Sequence, residues 1–345
     1  MADPIRRRGL ADPVGFAHTK RQFEAVVARI EARDGGRIAG ALACRNVGPS
    51  DRWRLAIAPH DDYAYAGCLY PLALRNVAAP LVVIFGVAHK ARALELEDAL
   101  VFDAFTHWRG PYGDVAVSPL RERLLGTLHP SSSVVHDEMH AVEHSIEAKL
   151  PFLQHANRGV RIVPILVPAM SFSRMDALAR ELAQALDEVL RDDGLAWGRD
   201  VALLASTDAV HYGDEGWNGR DFAFFGADAA GYAKAIAHEH AILRDCFEGE
   251  LRPERVERFT RYMLADDDHR EYKWTWCGRY SVPFALLTAW HLQRLRAEAP
   301  LLGSVLGYAT SLDDQRIDVS DREGMGVTAP ATLRHWVGYV AVGFR

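Results

Sequence analysis

Three apolar runs in this chain each end on side chains that can do chemistry. Trp53 to Ala58 leads into Pro59-His60-Asp61-Asp62-Tyr63, Leu81 to Val87 into Ala88-His89, and Val201 to Ala205 into Ser206-Thr207-Asp208-Ala209-Val210-His211. Neutral imidazole on a rigid element is a ready metal ligand, which makes His60 and His89 candidates. A carboxylate beside a His orients the ring, and such a His suits acid–base work near neutral pH, which pairs Asp208 with His211. Thr207 and Asp208 also fit a helix N-cap. Cys277 precedes the apolar run Val282 to Leu287. Near a helix N-terminus a thiol pKa falls, which favours the thiolate, a nucleophile or soft metal ligand. His136, His140 and His144 are four residues apart. Of this region we keep Glu143, His144 and Glu147 as pocket candidates and give His136, beside a Ser-rich loop, little weight. Asp61, Asp62, Tyr63 and Arg279 complete the candidate pocket.

These residues need elements to hold them. Short apolar runs bounded by turn residues read as buried strands, and longer runs of 3.6-residue periodicity as helices. The sequence predicts helices over Thr19 to Ala32 (ended by Gly35-Gly36), Gly67 to Ala78, Leu120 to Leu128, Arg174 to Leu190, Ala229 to Phe247, Pro253 to Leu264 and Ser281 to Leu295. A further helix over Ala141 to His155 is expected to be interrupted near Pro151. Strands are expected at Leu55 to Ala58, Leu81 to Val87, Val201 to Ser206, Ser304 to Thr310 and Trp336 to Phe344. Val160 to Val167 is a strand in which Pro164 argues for an edge or a local irregularity. Alternation of strands and helices implies an α/β fold: one domain over residues 18–345, with a central, mostly buried mixed sheet covered by helices on both faces. Residues 1–17 read as a flexible N-terminal arm. In such open sheets ligands bind beyond the carboxyl ends of the strands, so three polar strand ends imply one site.

The 345 residues are 49% hydrophobic and 25% charged, which is ordinary globular composition, and the net charge of −6 argues against a nucleic-acid surface. The basic cluster Arg6-Arg7-Arg8 reads as a solvated tail. No apolar run is long enough to span a bilayer, and no apolar segment follows the basic cluster to make a secretory signal. The four cysteines form no CxxC pair. A reducing cytoplasm is the simple expectation. The expected partner is an unidentified small-molecule substrate, with no nucleic acid and no membrane; nothing in the sequence sets an oligomeric state.

Taken together, the motifs resemble the Memo family, also called AmmeMemoRadiSam system protein B. The resemblance rests on five segments in the family's order: Pro59-His60-Asp61-Asp62-Tyr63-Ala64-Tyr65-Ala66-Gly67, Gly86-Val87-Ala88-His89, Glu143-His144-Ser145-Ile146-Glu147-Ala148-Lys149-Leu150-Pro151, Ser206-Thr207-Asp208-Ala209-Val210-His211-Tyr212-Gly213 and Cys277-Gly278-Arg279. That family is similar in fold to class III extradiol dioxygenases, which hold non-haem Fe(II) with two His and one carboxylate. The resemblance implies that His60 and His89 match the two His ligands, that Cys277 stands where the carboxylate would be, and that His211 stands where the catalytic His would be. It implies iron or copper, with zinc as a further candidate, and redox or dioxygenase-type chemistry by a metal-dependent oxidoreductase.

Two departures from the family pattern stand out. Asp61-Asp62 replaces Ala-Gly, and Val87-Ala88 replaces Pro-Ser before the second His. Two further readings stay open: a non-catalytic ligand- or peptide-binding protein with an enzyme-like pocket, and a zinc-dependent hydrolase or deacetylase. The second is suggested by the likeness of Pro59-His60-Asp61-Asp62 to the Pro-His-Pro-Asp-Asp motif of zinc N-deacetylases.

Overall fold

The computed structural model describes residues 5–313, 316–322 and 324–345. Its strands are β1 (Arg7–Arg8), β2 (Leu55–Ala58), β3 (Leu81–Val87), β4 (Leu100–Phe102), β5 (His107–Gly110), β6 (Gly113–Val117), β7 (Ser133–Val135), β8 (Arg161–Val167), β9 (Val201–Ser206), β10 (His211–Tyr212), β11 (Gly249–Glu250), β12 (Leu302–Thr310) and β13 (Trp336–Phe344). Its α-helices are α1 (Lys20–Cys44), α2 (Tyr63–Ala66), α3 (Leu69–Leu74), α4 (Leu120–Thr127), α5 (Asp137–Ala141), α6 (Leu150–Ala156), α7 (Phe172–Asp192), α8 (Ala229–Phe247), α9 (Pro253–Met263) and α10 (Ser281–Leu295).

Strands β2, β3 and β9 are apolar at nearly every position because every one of their residues is buried. That pattern belongs to parallel strands covered on both faces. The sheet runs β1-β5-β6-β8-β3-β9-β2-β13-β12-β11. Its centre, β8-β3-β9-β2, is parallel, and β13 and β12 continue it antiparallel, so the sheet is mixed as expected. Successive side chains fall on opposite faces. Leu55, Ile57, Val83, Phe85, Leu203 and Ala205 join the core beneath α7 and α10, while Ala56, Ala58, Val82, Ile84, Ala202 and Leu204 join the core beneath α1 and α3. β3, β9 and β2 are adjacent and parallel, so His89, Asp208 and His60 leave the sheet along one edge.

Three local expectations are corrected, and at Pro164 the local irregularity is found in place of an edge. Helix α1 does not stop at Gly35-Gly36 but runs on to Cys44. A Thr19–Gln22 capping box starts it, and the buried series Phe23, Val26, Ile30, Asp34, Ile38 and Leu42 carries one face through the glycines. Tertiary burial there outweighs about 1 kcal/mol of helix propensity per Gly. The predicted Gly67 to Ala78 helix is two short ones, α2 and α3, which meet at Gly67. A Cβ on Gly67 would lie 2.4 Å from both the Tyr63 carbonyl oxygen and Ile317 Cδ1. Residues 142–146 form no helix, and Pro151 begins α6 instead of interrupting a longer one, since a first-turn Pro forfeits no helical bond. Pro164 is not on an edge strand. β8 pairs β3 along its whole length, while its other side changes partner from β6 at Ile162 to β4 at Ile165. Pro164 falls in that gap, where its missing N–H leaves no ladder bond unmade.

The basic cluster is not a solvated tail. Arg7–Arg8 pair in parallel with His107 and Trp108 of β5. Arg8 is 1% exposed, lies 4.4 Å above the Trp108 ring, donates to the His140 carbonyl at 3.0 Å and ion-pairs with the equally buried Glu147. Residues 1–4 of the expected arm lie outside the described residues. Removing one partner of a buried pair strands the other's charge. Arg8→Met should therefore cost about 3–5 kcal/mol in urea unfolding. Arg7→Ala, which breaks only a half-exposed pair with Asp114, should leave the unfolding midpoint nearly unchanged.

Candidate metal centre

The three strand ends and the turn before α10 bring their polar side chains together. His60, His89 and Cys277 each offer one donor atom, all within 4.8 Å of one another. Asp208, His211 and Cys277 form a second such group, and His89, Glu143 and His144 a third. The imidazoles pack tightly: ring centroids are 5.2 Å apart for His60–His89, 5.4 Å for His60–His144 and 5.0 Å for the stacked pair His89–His144.

The orientation of each ring follows from hydrogen-bond arithmetic. Ser206 Oγ has one proton and donates it to the Ser145 carbonyl at 2.7 Å. Toward its other neighbours it can only accept. Lys149 Nζ donates to it at 2.6 Å, and His60 Nδ1 lies 2.8 Å away. His60 therefore carries its proton on Nδ1 and turns the Nε2 lone pair toward Cys277 Sγ at 3.4 Å. His89 Nδ1 is held by both Glu143 oxygens, at 2.9 and 3.1 Å. Glu143 in turn accepts the backbone N–H groups of His89 and Ser145. His211 Nδ1 donates to the carbonyls of Ala209 and Thr275 at 3.2 and 3.1 Å. In all three rings Nδ1 is occupied by the protein, which leaves Nε2 for a ligand. A His whose other nitrogen is held by a carboxylate or carbonyl is the usual form of a metal-ligating His.

Cys277 reaches the group because Trp276 bridges to Val210 just beyond β9. Asp208 N–H donates to Cys277 Sγ at 3.0 Å. The expected lowering of the Cys277 thiol is not found. Burial, then the neighbouring Asp208 carboxylate, pushes the Cys277 thiol well above its ordinary value. Position ahead of a helix does not overcome that desolvation. Burial and the nearby Asp61 push Asp208 up to about 8. Burial pulls the fully enclosed Lys149 ammonium down to about 7, with Asp208 opposing it. Burial also lowers His89, but its contacts with Glu143 outweigh this and raise it.

The remaining sequence candidates divide. Asp61 lines a cavity of about 290 Å³ together with His60, His89, His144, Asp208 and His211. Its carboxylate accepts Tyr339 O–H at 2.7 Å. Asp62, next in the chain, faces away and accepts Thr328 N–H at 2.6 Å. Tyr63 is no pocket residue: it is buried among Phe16, Phe23, Tyr70 and Phe152, with its hydroxyl on the Ala148 carbonyl. Glu147 is turned to Arg8 and accepts the N–H groups of Ala11 and Asp12. Arg279 lines a different cleft, which His89 and Cys277 also border. His136 caps α5 by accepting from Met139 N–H, and His140 is buried on the Val101 carbonyl.

Two residues of the network carry no role in the sequence reading. Lys149 binds the carbonyls of Pro59 and Ser145 and the hydroxyl of Ser206. A Lys inside the apolar stretch Ile146 to Phe152 was its signal. Ser206 looks in sequence like an ordinary strand end. Trp217 and His335, stacked at 4.1 Å, add a wall to the smaller cavity that no motif announces.

Burial holds His60 well below 6.5, and draws His144 and His211 down to about 4. As pH falls from 6.5 toward 4, the unfolded chain takes up protons that these folded imidazoles refuse, so their contribution to stability falls, while buried carboxyls such as Asp208, raised to about 8, act in the opposite direction. The check is therefore a difference between proteins: between pH 6.5 and 4 the urea midpoint of His211→Gln should fall less steeply than that of wild type, by up to about one proton of slope.

Comparison with known proteins identifies the family. The protein-family model described as Memo-like protein matches residues 38–320. The MEMO1 family protein of Pyrococcus furiosus is 29% identical over 175 residues, covering 48% of this chain and 56% of that protein. That of Aeropyrum pernix is 31% identical over 183 residues, covering 50% and 59%, and that of Aquifex aeolicus 29% over 159 residues, covering 45% and 53%. The chain thus spans about half the length of the curated relatives it matches. With the family model extending over most of its length, the chain belongs to the Memo-like protein family.

Proposed function

We propose that this protein is a metal-dependent oxidoreductase of the extradiol-dioxygenase type, acting on an unidentified small molecule. The observation that carries this reading is the convergence of His60, His89 and Cys277 within 4.8 Å, with the Nδ1 of both rings already engaged by the protein. An ion held by two imidazoles and one sulfur would have few enough protein ligands to take a small molecule as well, as two-His-one-carboxylate sites do. The donor set fits Fe(II) or copper, and also zinc; bound iron or copper would supply one-electron and dioxygen chemistry.

The chain's own groups handle protons and position. His211 is neutral at physiological pH and fixed through Nδ1, so its Nε2 is free to accept a proton from a bound molecule. Asp208 joins His211 beside Cys277 and holds His60 N–H at 2.9 Å. Lys149 places a buried cation behind Ser206 and favours negative charge on Asp208 and Cys277. The hydrolase reading draws less support, since Asp62 is committed to Thr328 and Asp61 to Tyr339.

Protein purified without oxygen should take up one equivalent of Fe(II), Cu(I) or Zn by elemental analysis. Loss of uptake in Cys277→Ala is expected, and wild-type protein that takes up none of the three ions would sink the proposal. Glu143→Gln weakens the support of His89 and should lower metal affinity about 10–100-fold. His211→Ala should keep the metal yet lose dioxygen consumption with a catechol; metal-loaded wild type that binds such molecules without turnover would favour the binding-protein reading.

A further inference from the structure

The larger cleft beside the metal-candidate residues is separate from the smaller cavity that holds His211. It encloses about 570 Å³, and both His89 and Cys277 border it. That volume lies within the range of small-molecule sites. Much of its wall is apolar, including Val87, Leu96, Val167 and Tyr272. Arg279 stands among them with its guanidinium 3.5 Å from the Tyr272 ring centroid and 4.9 Å from that of Tyr280. Among the described residues no carboxylate lies within ion-pair range of Arg279. Nη2 donates to the Arg270 carbonyl at 3.3 Å, and Nε is buried without a hydrogen-bond partner among the described residues. Aromatic rings hold an arginine in place but do not satisfy its N–H donors.

We propose that this cleft is a binding site for a small organic carboxylate, whose acid group pairs with Arg279 while its apolar body lies against the wall toward Cys277 and His89. A planar, permanently charged guanidinium that faces no carboxylate of its own is a ready partner for a ligand's acid group. One negative charge is the fit. The other cations of the cleft are spoken for: Arg270 pairs with Glu97 at 2.8 Å, and Arg92 faces Glu271 at 3.6 Å. Glu95 and Glu97 on the same wall oppose a more highly charged anion. The claim that this acid is the substrate rests on the metal-centre reading; the claim that it binds does not.

The test uses metal-free, full-length protein and calorimetric titration with benzoate, benzyl alcohol and phenyl phosphate. Benzoate should bind at least tenfold more tightly than either of the others. Arg279→Met should abolish that preference, Arg279→Lys should retain part of it, and Arg92→Gln should leave it intact. Metal uptake by Arg279→Met should equal wild type, which separates this site from the metal-centre reading. Three results would overturn the proposal: no saturable benzoate binding to the wild type, equal affinity for benzoate and benzyl alcohol, or a preference that survives in folded Arg279→Met. Tighter binding of phenyl phosphate than of benzoate would overturn the assignment of a carboxylate.

Discussion

Parallel neighbours in a sheet finish on the same side. β3, β9 and β2 are adjacent and parallel, and each finishes on polar residues. No long-range loop has to be steered to bring His89, Asp208 and His60 together, because backbone pairing has already done so. Loops joined to that edge, such as the turn carrying Cys277 and the segment carrying Glu143, only need to be tied down locally. The ties are visible: Trp276 to Val210, Asp208 N–H to Cys277 Sγ, and Glu143 to the backbone of His89.

Burial sets the chemistry of what is gathered there. The site holds an ammonium, several carboxyl groups, a thiol and several imidazoles where water is scarce. Charge in such surroundings is costly unless it is paired and hydrogen-bonded. The protein meets this by giving Lys149 three acceptors and Glu143 three donors. A carboxyl on Asp208 and a thiol on Cys277 stay largely uncharged in the metal-free site. A cation placed among His60, His89 and Cys277 would reverse that preference, since a coordinating thiol gives up its proton. Metal affinity and local protonation are therefore one linked equilibrium.

Much of this was legible in the sequence, for identifiable reasons. Runs such as Leu81 to Val87 are apolar at every position, and only a strand buried on both faces uses that pattern over so short a length. Their polar ends followed from topology. What failed was local. The periodicity of α1 continues through Gly35-Gly36, and propensity alone cannot weigh Ile38 and Leu42 packing on the far side of them. Tyr63 and Glu147 sit one turn or one loop away from residues that line the cavity, and which way a side chain faces depends on a backbone bend that spacing does not encode. Asp61 and Asp62 show the limit most sharply: identical neighbours, one on the cavity wall and one holding Thr328.

His89 has cavities on both sides. One, of about 290 Å³, contains His211 and Asp61; the other, of about 570 Å³, contains Arg279, with Cys277 at its border. A single imidazole, braced from behind by Glu143, is thus a shared wall between two solvent-connected rooms. A donor cluster set beside such a wall borders two spaces of different size and lining. Two reactants using separate doors would have no compulsory order of arrival, and a bulky molecule on one side would leave the other side open to a small one.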